Sequence, residues 1–230
     1  MGTWAEWHEP YDDPRSPLSR RLAVVQRQIR DALDDAAPGP IRLISVCAGQ
    51  GRDVAGALDG HRRGADVAGR LVELDPDNAA VARSLLEGAR VTGVEVITGD
   101  ASTTAAYAGA VPADIVLVCG VFGNLSDDDI RNTIELLPTL CRAGATVIWT
   151  RHRFEPDLTP TIRHWFGDLG FDEVAFDAPG EDFFGVGANR LTAPPRPFRN
   201  DRRLFTFLGE DGPTWRARGP EPGAQRGPSP

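Results

Sequence analysis

The feature that most constrains this chain is an apolar strand that runs directly into a glycine turn. Ile41-Arg42-Leu43-Ile44-Ser45-Val46-Cys47 is rich in β-branched residues and stops at Ala48-Gly49-Gln50-Gly51. Arg52-Asp53-Val54-Ala55-Gly56-Ala57-Leu58 then reads as the start of a helix. Glycines lacking a Cβ let a ligand approach the backbone, and the amides of the turn and helix end face any polar group held there. The pattern is weak alone. It gains weight from an acidic strand end, Leu71-Val72-Glu73-Leu74-Asp75-Pro76, and from a further acid in Gly99-Asp100-Ala101.

Around this turn, strands and helices alternate. Ser16-Pro17 reads as an N-cap with proline at the first helical position. Leu18, Leu22, Val25, Ile29 and Leu33 then form one apolar face of a helix that Pro38-Gly39-Pro40 ends. A second strand near Val67–Leu74 leads to a helix over Pro76–Gly88 capped by Asp75. Strand three is Val94–Thr98, and Ala113–Cys119 is a fourth strand apolar enough to be buried on both faces. Ser126 caps a helix whose acidic first turn suits the helix dipole. Strand five is Ala145–Thr150, Thr159-Pro160 opens another helix, and Phe171–Phe176 and Arg203–Leu208 read as the last two strands. The pattern predicts an α/β fold with a mostly parallel sheet covered on both faces, whose ligands bind at the carboxyl ends of its strands. Residues 1–40 form an N-terminal segment and helix, 41–209 the main domain, and 210–230 a disordered glycine- and proline-rich tail in which only Trp215 has a side chain suited to docking.

Composition removes several classes of function. All 25 cationic residues are arginine, which excludes a lysine Schiff base, a lysine general base and the lysine of a phosphate-binding P-loop. A net charge of −8 disfavours nucleic acid, although Arg196, Arg199, Arg202 and Arg203 cluster locally. Cys47, Cys119 and Cys141 are widely spaced and odd in number, so they read as packing residues, with neither a disulfide framework nor a metal site. The chain has no basic-then-apolar leader and no apolar run long enough to span a bilayer, so a cytoplasmic protein without membrane contact is expected. Nothing in the sequence sets an oligomeric state.

Taken together, these motifs resemble a class I S-adenosylmethionine-dependent methyltransferase over roughly residues 41–208. The resemblance implies a Rossmann-like three-layer sandwich with a seven-stranded sheet in the order 3-2-1-4-5-7-6, to which this chain adds an N-terminal helix. Cys47-Ala48-Gly49-Gln50-Gly51 matches the glycine motif that packs on the methionine part of S-adenosyl-L-methionine. Glu73, followed by Leu74, matches the acid that holds the ribose hydroxyls, and Asp100-Ala101 matches the motif at the adenine amine. Cys119, Gly120 and Asn124 fall on the loop beside the reacting methyl group. The family often carries an acid where this chain has Ser45, so the cofactor's amino group needs another partner, with Asp53, Tyr11 or an N-terminal acid as candidates. The implied acceptor is a small molecule, methylated on oxygen, nitrogen or carbon.

Chemistry independent of the family supports the same residues. A ribose diol presents two donors and one carboxylate accepts both. The competing readings are a solvated loop acid for Glu73 and a strand terminator for Asp100. Among four histidines, His152 follows strand five at the ligand-binding end and is the candidate general base; the alternative is a surface histidine among Arg151 and Arg153. His164 reads as structural or exposed, and His61 as distant from the site. Trp4, Trp7, His8 and Tyr11 are either a lid or packing for the first helix. Phe183–Gly187 with Pro194-Pro195 is either a substrate wall between the last strands or a surface crossover. Two rival functions stay open: a nicotinamide-binding Rossmann oxidoreductase, whose third glycine or alanine is replaced by Val54, and a protein of the same fold that binds a cofactor or partner without catalysis.

Overall fold

A computed structural model describes residues 11, 13, 15–180 and 183–209. Trp4, Trp7, His8, Trp215 and the tail 210–230 lie outside them. The helix α1 (Pro17–Asp35) begins as its sequence dictates, with the Ser16 hydroxyl accepting from the Ser19 amide and proline at the first turn. Then follow β1 (Ile41–Val46), α2 (Arg52–Leu58), β2 (Val67–Glu73), α3 (Pro76–Gly88), β3 (Val94–Thr98) and β4 (Ala113–Val118). The second half comprises α4 (Asp127–Leu136), β5 (Cys141–His152), α5 (Thr159–Asp168), β6 (Phe171–Asp177) and β7 (Phe184–Leu191).

The strands form one seven-stranded sheet in the order β3-β2-β1-β4-β5-β7-β6. All neighbours are parallel except β7, which runs antiparallel to both β5 and β6. Alternation along the central strands feeds two cores. Leu43, Ile115 and Leu117 pack with α1 and α2 on one face. Ile44, Val46, Val116 and Val118 pack with α4 and α5 on the other. That two-faced burial is why β1 and β4 read as nearly continuous apolar runs. The parallel order brings the ends of β1, β2, β4 and β5 to one edge.

The final strand of the sheet corrects the sequence reading. Arg203–Leu208 is not a strand of the sheet; β7 is Phe184–Leu191, so Phe184–Gly187 lies inside a strand and not in a loop between strands. The segment 203–208 forms an extended strap that makes two isolated bridges, Thr103 with Arg203 and Leu125 with Phe207. It fills the face beside the β3–β4 connection, where only a short 3-10 turn, Thr104–Tyr107, stands in for a helix. Leu204 and Phe205 are fully buried there, and Asn132 and Thr133 of α4 donate to the Leu204 carbonyl at 2.7 and 3.0 Å. Strand five also runs longer than Ala145–Thr150, reaching His152.

Candidate active site

The turn after β1 takes the backbone through left-handed conformations at Cys47 (φ 52°), Gly49 (φ 55°) and Gly51 (φ 64°). Glycine relieves two of the three; Cys47 carries the strain of a side chain in that region. Gly51 has a second reason to be glycine. A Cβ there would stand 2.9 Å from Leu71 Cδ2 and 3.2 Å from the Ala82 Cβ, so its absence lets α2 close against β2 and α3.

The acid at the end of β2 locks onto this turn. Glu73 Oε2 accepts the Gly49 amide at 2.7 Å, and Oε1 accepts the Asp75 amide at 2.9 Å. Asp75 itself caps α3, accepting from Asp77 and Asn78. Glu73 is 8% exposed, which excludes the solvated-loop reading. Burial raises its carboxyl affinity for protons, and the backbone amides of Asp75, Gly49 and Leu74 partly offset that. A carboxylate has about four lone-pair positions, so acceptor capacity remains beyond the backbone bonds. Leu74, next along, is a large apolar side chain left 69% exposed at the same edge.

Asp100 follows β3 and holds its own loop, its Oδ1 accepting the Ser102 amide at 2.8 Å. Its side chain is 54% exposed, with Oδ2 3.9 Å from Arg203 of the strap. Ala101 beside it is buried, and its carbonyl accepts the hydroxyl of the buried Tyr107 at 2.9 Å. Glu73 and Asp100 share a neighbourhood: the Cys47 thiol is pushed up by burial first, then by these two carboxylates. Burial likewise raises Cys119, so both thiols stay protonated near neutral pH and are poor nucleophiles.

A cavity opens against the turn, and neither Glu73 nor Asp100 lines it. Cys47 to Asp53, Cys119, Tyr11 and the α1 residues Arg21, Leu22 and Val25 line it. The Tyr11 hydroxyl accepts from Arg21 Nη2 at 2.7 Å, and the Arg52 guanidinium carbon sits 5.8 Å from the Tyr11 ring centroid. Asp53 is raised by burial, and its neighbour Arg21 acts in the opposite sense. The cavity therefore has a guanidinium on the α1 wall and a carboxylate at the start of α2. Arg21 was absent from the sequence-derived candidates. Its only signal was its place beside Leu22 at the border of the apolar face, which also fits an ordinary solvated arginine.

The β4 end supplies the next loop. Gly120 (φ 76°) donates its amide to Thr150 Oγ1 at 2.7 Å, and the buried Asn124 donates its side-chain amide to the Gly120 carbonyl at 3.0 Å. The strap closes this loop too, the Leu208 amide donating to the Asn124 carbonyl at 2.9 Å. His152 ends β5 beside it, with Cδ2 3.4 Å from the point where a Gly123 Cβ would stand. Arg151 bonds the Phe122 carbonyl from the same strand end. His164 is exposed and pairs with Asp168 at 3.3 Å, while His61 lies 3.6 Å from Asp34 at the far end of α1. Among the described residues no cluster of His, Cys, Asp and Glu is arranged to hold a metal, and no helix is long and apolar enough to cross a membrane.

No protein-family profile matches the chain, and no curated protein sequence matches it. Solved structures do. A magnesium protoporphyrin IX methyltransferase from Synechocystis PCC 6803, with bound SAM, aligns at a TM-score of 0.59 and 14% identity over 80% of this chain and 88% of its own. An O-methyltransferase family protein from Burkholderia thailandensis aligns at 0.56 and 16% identity over 79% of this chain and 61% of its own. The CurJ carbon methyltransferase aligns at 0.56 and 12% identity over 75% of this chain and 54% of its own. The chain thus spans less than two thirds of the length of the last two. The fold is that of the S-adenosylmethionine-dependent methyltransferases.

Proposed function

We propose that this protein is an S-adenosylmethionine-dependent methyltransferase that acts on a small-molecule oxygen, nitrogen or carbon nucleophile. The observation that carries the reading is the Glu73 carboxylate, buried at the end of β2, bonded to the Gly49 amide and retaining acceptor positions for a diol. The residues present fit the cofactor in their donor and acceptor chemistry. Glu73 accepts from the ribose hydroxyls, Leu74 and Ala101 border the purine, and Asp100 accepts from the adenine amine. The bend Cys47-Ala48-Gly49-Gln50-Gly51 presents bare backbone to the amino-acid end. Arg21, on the cavity wall, suits its carboxylate, and Asp53 with Tyr11 suits its ammonium group. This assignment answers the substitution of Ser45 for an acid.

When bound, the cofactor supplies an electrophilic methyl group on a sulfonium, so the protein's own task is alignment and exclusion of water. Gly120 and Asn124, fixed by Thr150 and by each other, hold the loop beside the reacting position. Such alignment contributes up to roughly 7–11 kcal/mol in well-oriented reactions. His152 takes the acceptor's proton where the nucleophile carries one.

The topology also separates this reading from a nicotinamide-dependent oxidoreductase. Dinucleotide-binding domains use the order 3-2-1-4-5-6, whereas here an antiparallel β7 is inserted between β5 and β6. Calorimetric titration with S-adenosylmethionine, its demethylated product S-adenosylhomocysteine and NAD is the test. Binding of the first two alone is expected; binding of NAD alone overturns the proposal. Methyl transfer from labelled cofactor to candidate acceptors then distinguishes an enzyme from a non-catalytic binder.

A further inference from the structure

We infer that Arg203 is a positioning residue for the cofactor's purine, acting through Asp100, and that it sets a preference for a 6-amino over a 6-oxo ring. The inference rests on the methyltransferase reading and adds a residue that decides which base the site takes.

Arg203 belongs to a cluster of four arginines whose other side chains turn elsewhere. Arg196 pairs with Glu135 at 3.8 Å, while Arg199 and Arg202 both turn to Asp201, at 3.0 and 3.6 Å. The Arg203 side chain instead reaches the loop after β3. Its Nη1 donates to Ser102 Oγ at 2.7 Å and stands 3.9 Å from Asp100 Oδ2. The main chain behind it is held from two sides. Thr103 and Arg203 form a bridge, and the Leu204 amide donates to the Ser102 carbonyl at 2.7 Å. From α4, Asn132 donates to the Arg203 carbonyl at 3.1 Å. The guanidinium is thus fixed at its root by the strap and at its tip by the buried Ser102.

Asp100 has need of such a neighbour. Its side chain is 54% exposed, and the Ser102 amide holds it by Oδ1 alone, which leaves the carboxylate plane free to turn about that oxygen. The guanidinium gives a second point of reference, beside Oδ2. At 3.9 Å the two charges attract without a hydrogen bond, so Oδ2 keeps its lone pairs for a ligand. The carboxylate also faces inward: burial, then Glu73, then Asp100 push up the Cys47 thiol of the glycine turn.

An ionised carboxylate only accepts, so the oxygen left open decides what can face it. A 6-amino group donates to Oδ2, whereas a 6-oxo group sets oxygen against oxygen. Held in place, Oδ2 rejects the oxo ring. Released, Asp100 turns to water or to the N1–H that the oxo ring carries, and the distinction is lost.

The test is calorimetric titration of the full chain with S-adenosylhomocysteine and with its deaminated form, S-inosylhomocysteine. Wild type is expected to prefer the amino form by at least about tenfold, as sites built around a donated hydrogen bond do. Arg203→Met, at an exposed side chain and with its main-chain bonds intact, is expected to keep the wild-type melting temperature and to lose most of that preference. Arg203→Lys, which keeps the charge, should restore much of it. Asp100→Ala should remove the preference by itself, and adding Arg203→Met to it should change nothing further, because the arginine acts through the carboxylate. An equal loss for both ligands, a preference that survives Arg203→Met, or a further loss in the double variant overturns the inference and leaves the methyltransferase reading standing. Wild type that binds S-adenosylhomocysteine without preferring it overturns the inference too. Wild type that binds neither ligand overturns the methyltransferase reading, and the inference falls with it.

Discussion

The Glu73 carboxylate and the Gly49 amide lie 2.7 Å apart and so join the end of β2 to the turn after β1. One contact thereby sets both the shape of the bend and the orientation of the acid expected to grip the ligand. Hydrogen bonds to charged groups contribute about 1.5–3 kcal/mol each. Glu73→Ala is therefore expected to weaken S-adenosylmethionine binding by roughly 10- to 150-fold in calorimetry. A dissociation constant equal to wild type removes Glu73 from the site.

The proposed division of the ligand between Glu73 and the cavity gives a selective test. Arg21→Met is expected to cost about 1.5–3 kcal/mol in S-adenosylmethionine binding, the range for a charged hydrogen bond. The same variant should bind 5′-methylthioadenosine, which lacks the amino-acid end, as wild type does. Parallel losses for the two ligands would show that Arg21 acts through the fold alone.

Gly51 is held at φ 64° with Leu71 and Ala82 pressed against the place of its missing Cβ. Gly51→Ala adds left-handed strain to an overpacked contact, and a loss of about 2–4 kcal/mol is expected in denaturant unfolding. Gly60, at φ 65° with open space around it, is the control: Gly60→Ala carries the strain without the clash and should lose less.

Asp53 has its folded-state proton affinity raised, chiefly by burial. The folded protein then holds this proton to higher pH than the unfolded chain does. Its stabilising contribution is complete below the unfolded value of about 4 and is lost as pH rises through the higher folded value. Asp53→Asn should accordingly gain stability relative to wild type as pH is raised from about 4 to 7, measured as the difference in melting temperature at each pH. A difference that stays flat, or falls with pH, contradicts the assigned direction.

The strap anchors by Leu204 and Phe205, both fully buried. Phe205→Ala is expected to cost about 3–5 kcal/mol of stability, as for other buried phenylalanines. Amide exchange at Thr104 should quicken together with that at Leu204, because the Thr104 amide donates to the Arg202 carbonyl and the Leu204 amide to the Ser102 carbonyl. Exchange that stays slow at Thr104 would mean its loop is held without the strap.

Much of the sheet was legible because parallel strands buried on both faces leave nearly continuous apolar runs, and β1 and β4 are such runs. Capping residues with local jobs, Ser16, Asp75 and Ser126, marked helix starts correctly. The last strand was hidden by its glycines. Gly185 and Gly187 lie inside β7 because the rings of Phe176 and Trp149 occupy the space their side chains would need. That is a tertiary cause with no trace in local propensity. Arg203–Leu208 showed the opposite illusion: Leu204 and Phe205 are buried, but against loops and α4, with only isolated bridges to a neighbour. The site divides the same way. Glu73 and the glycine bend announced themselves at strand ends, whereas Arg21 reaches the cavity only because α1 packs on α2.

The strap begins after the seven strands are complete and runs back to fasten Ser102 at one loop and Asn124 at another. A growing polypeptide leaves the ribosome from its N-terminus, so every strand emerges before the segment that ties these loops. The sheet therefore assembles ahead of its ligand-facing rim. A released chain that ends near residue 195 should retain the sheet and bind a nucleoside more weakly than the full chain does.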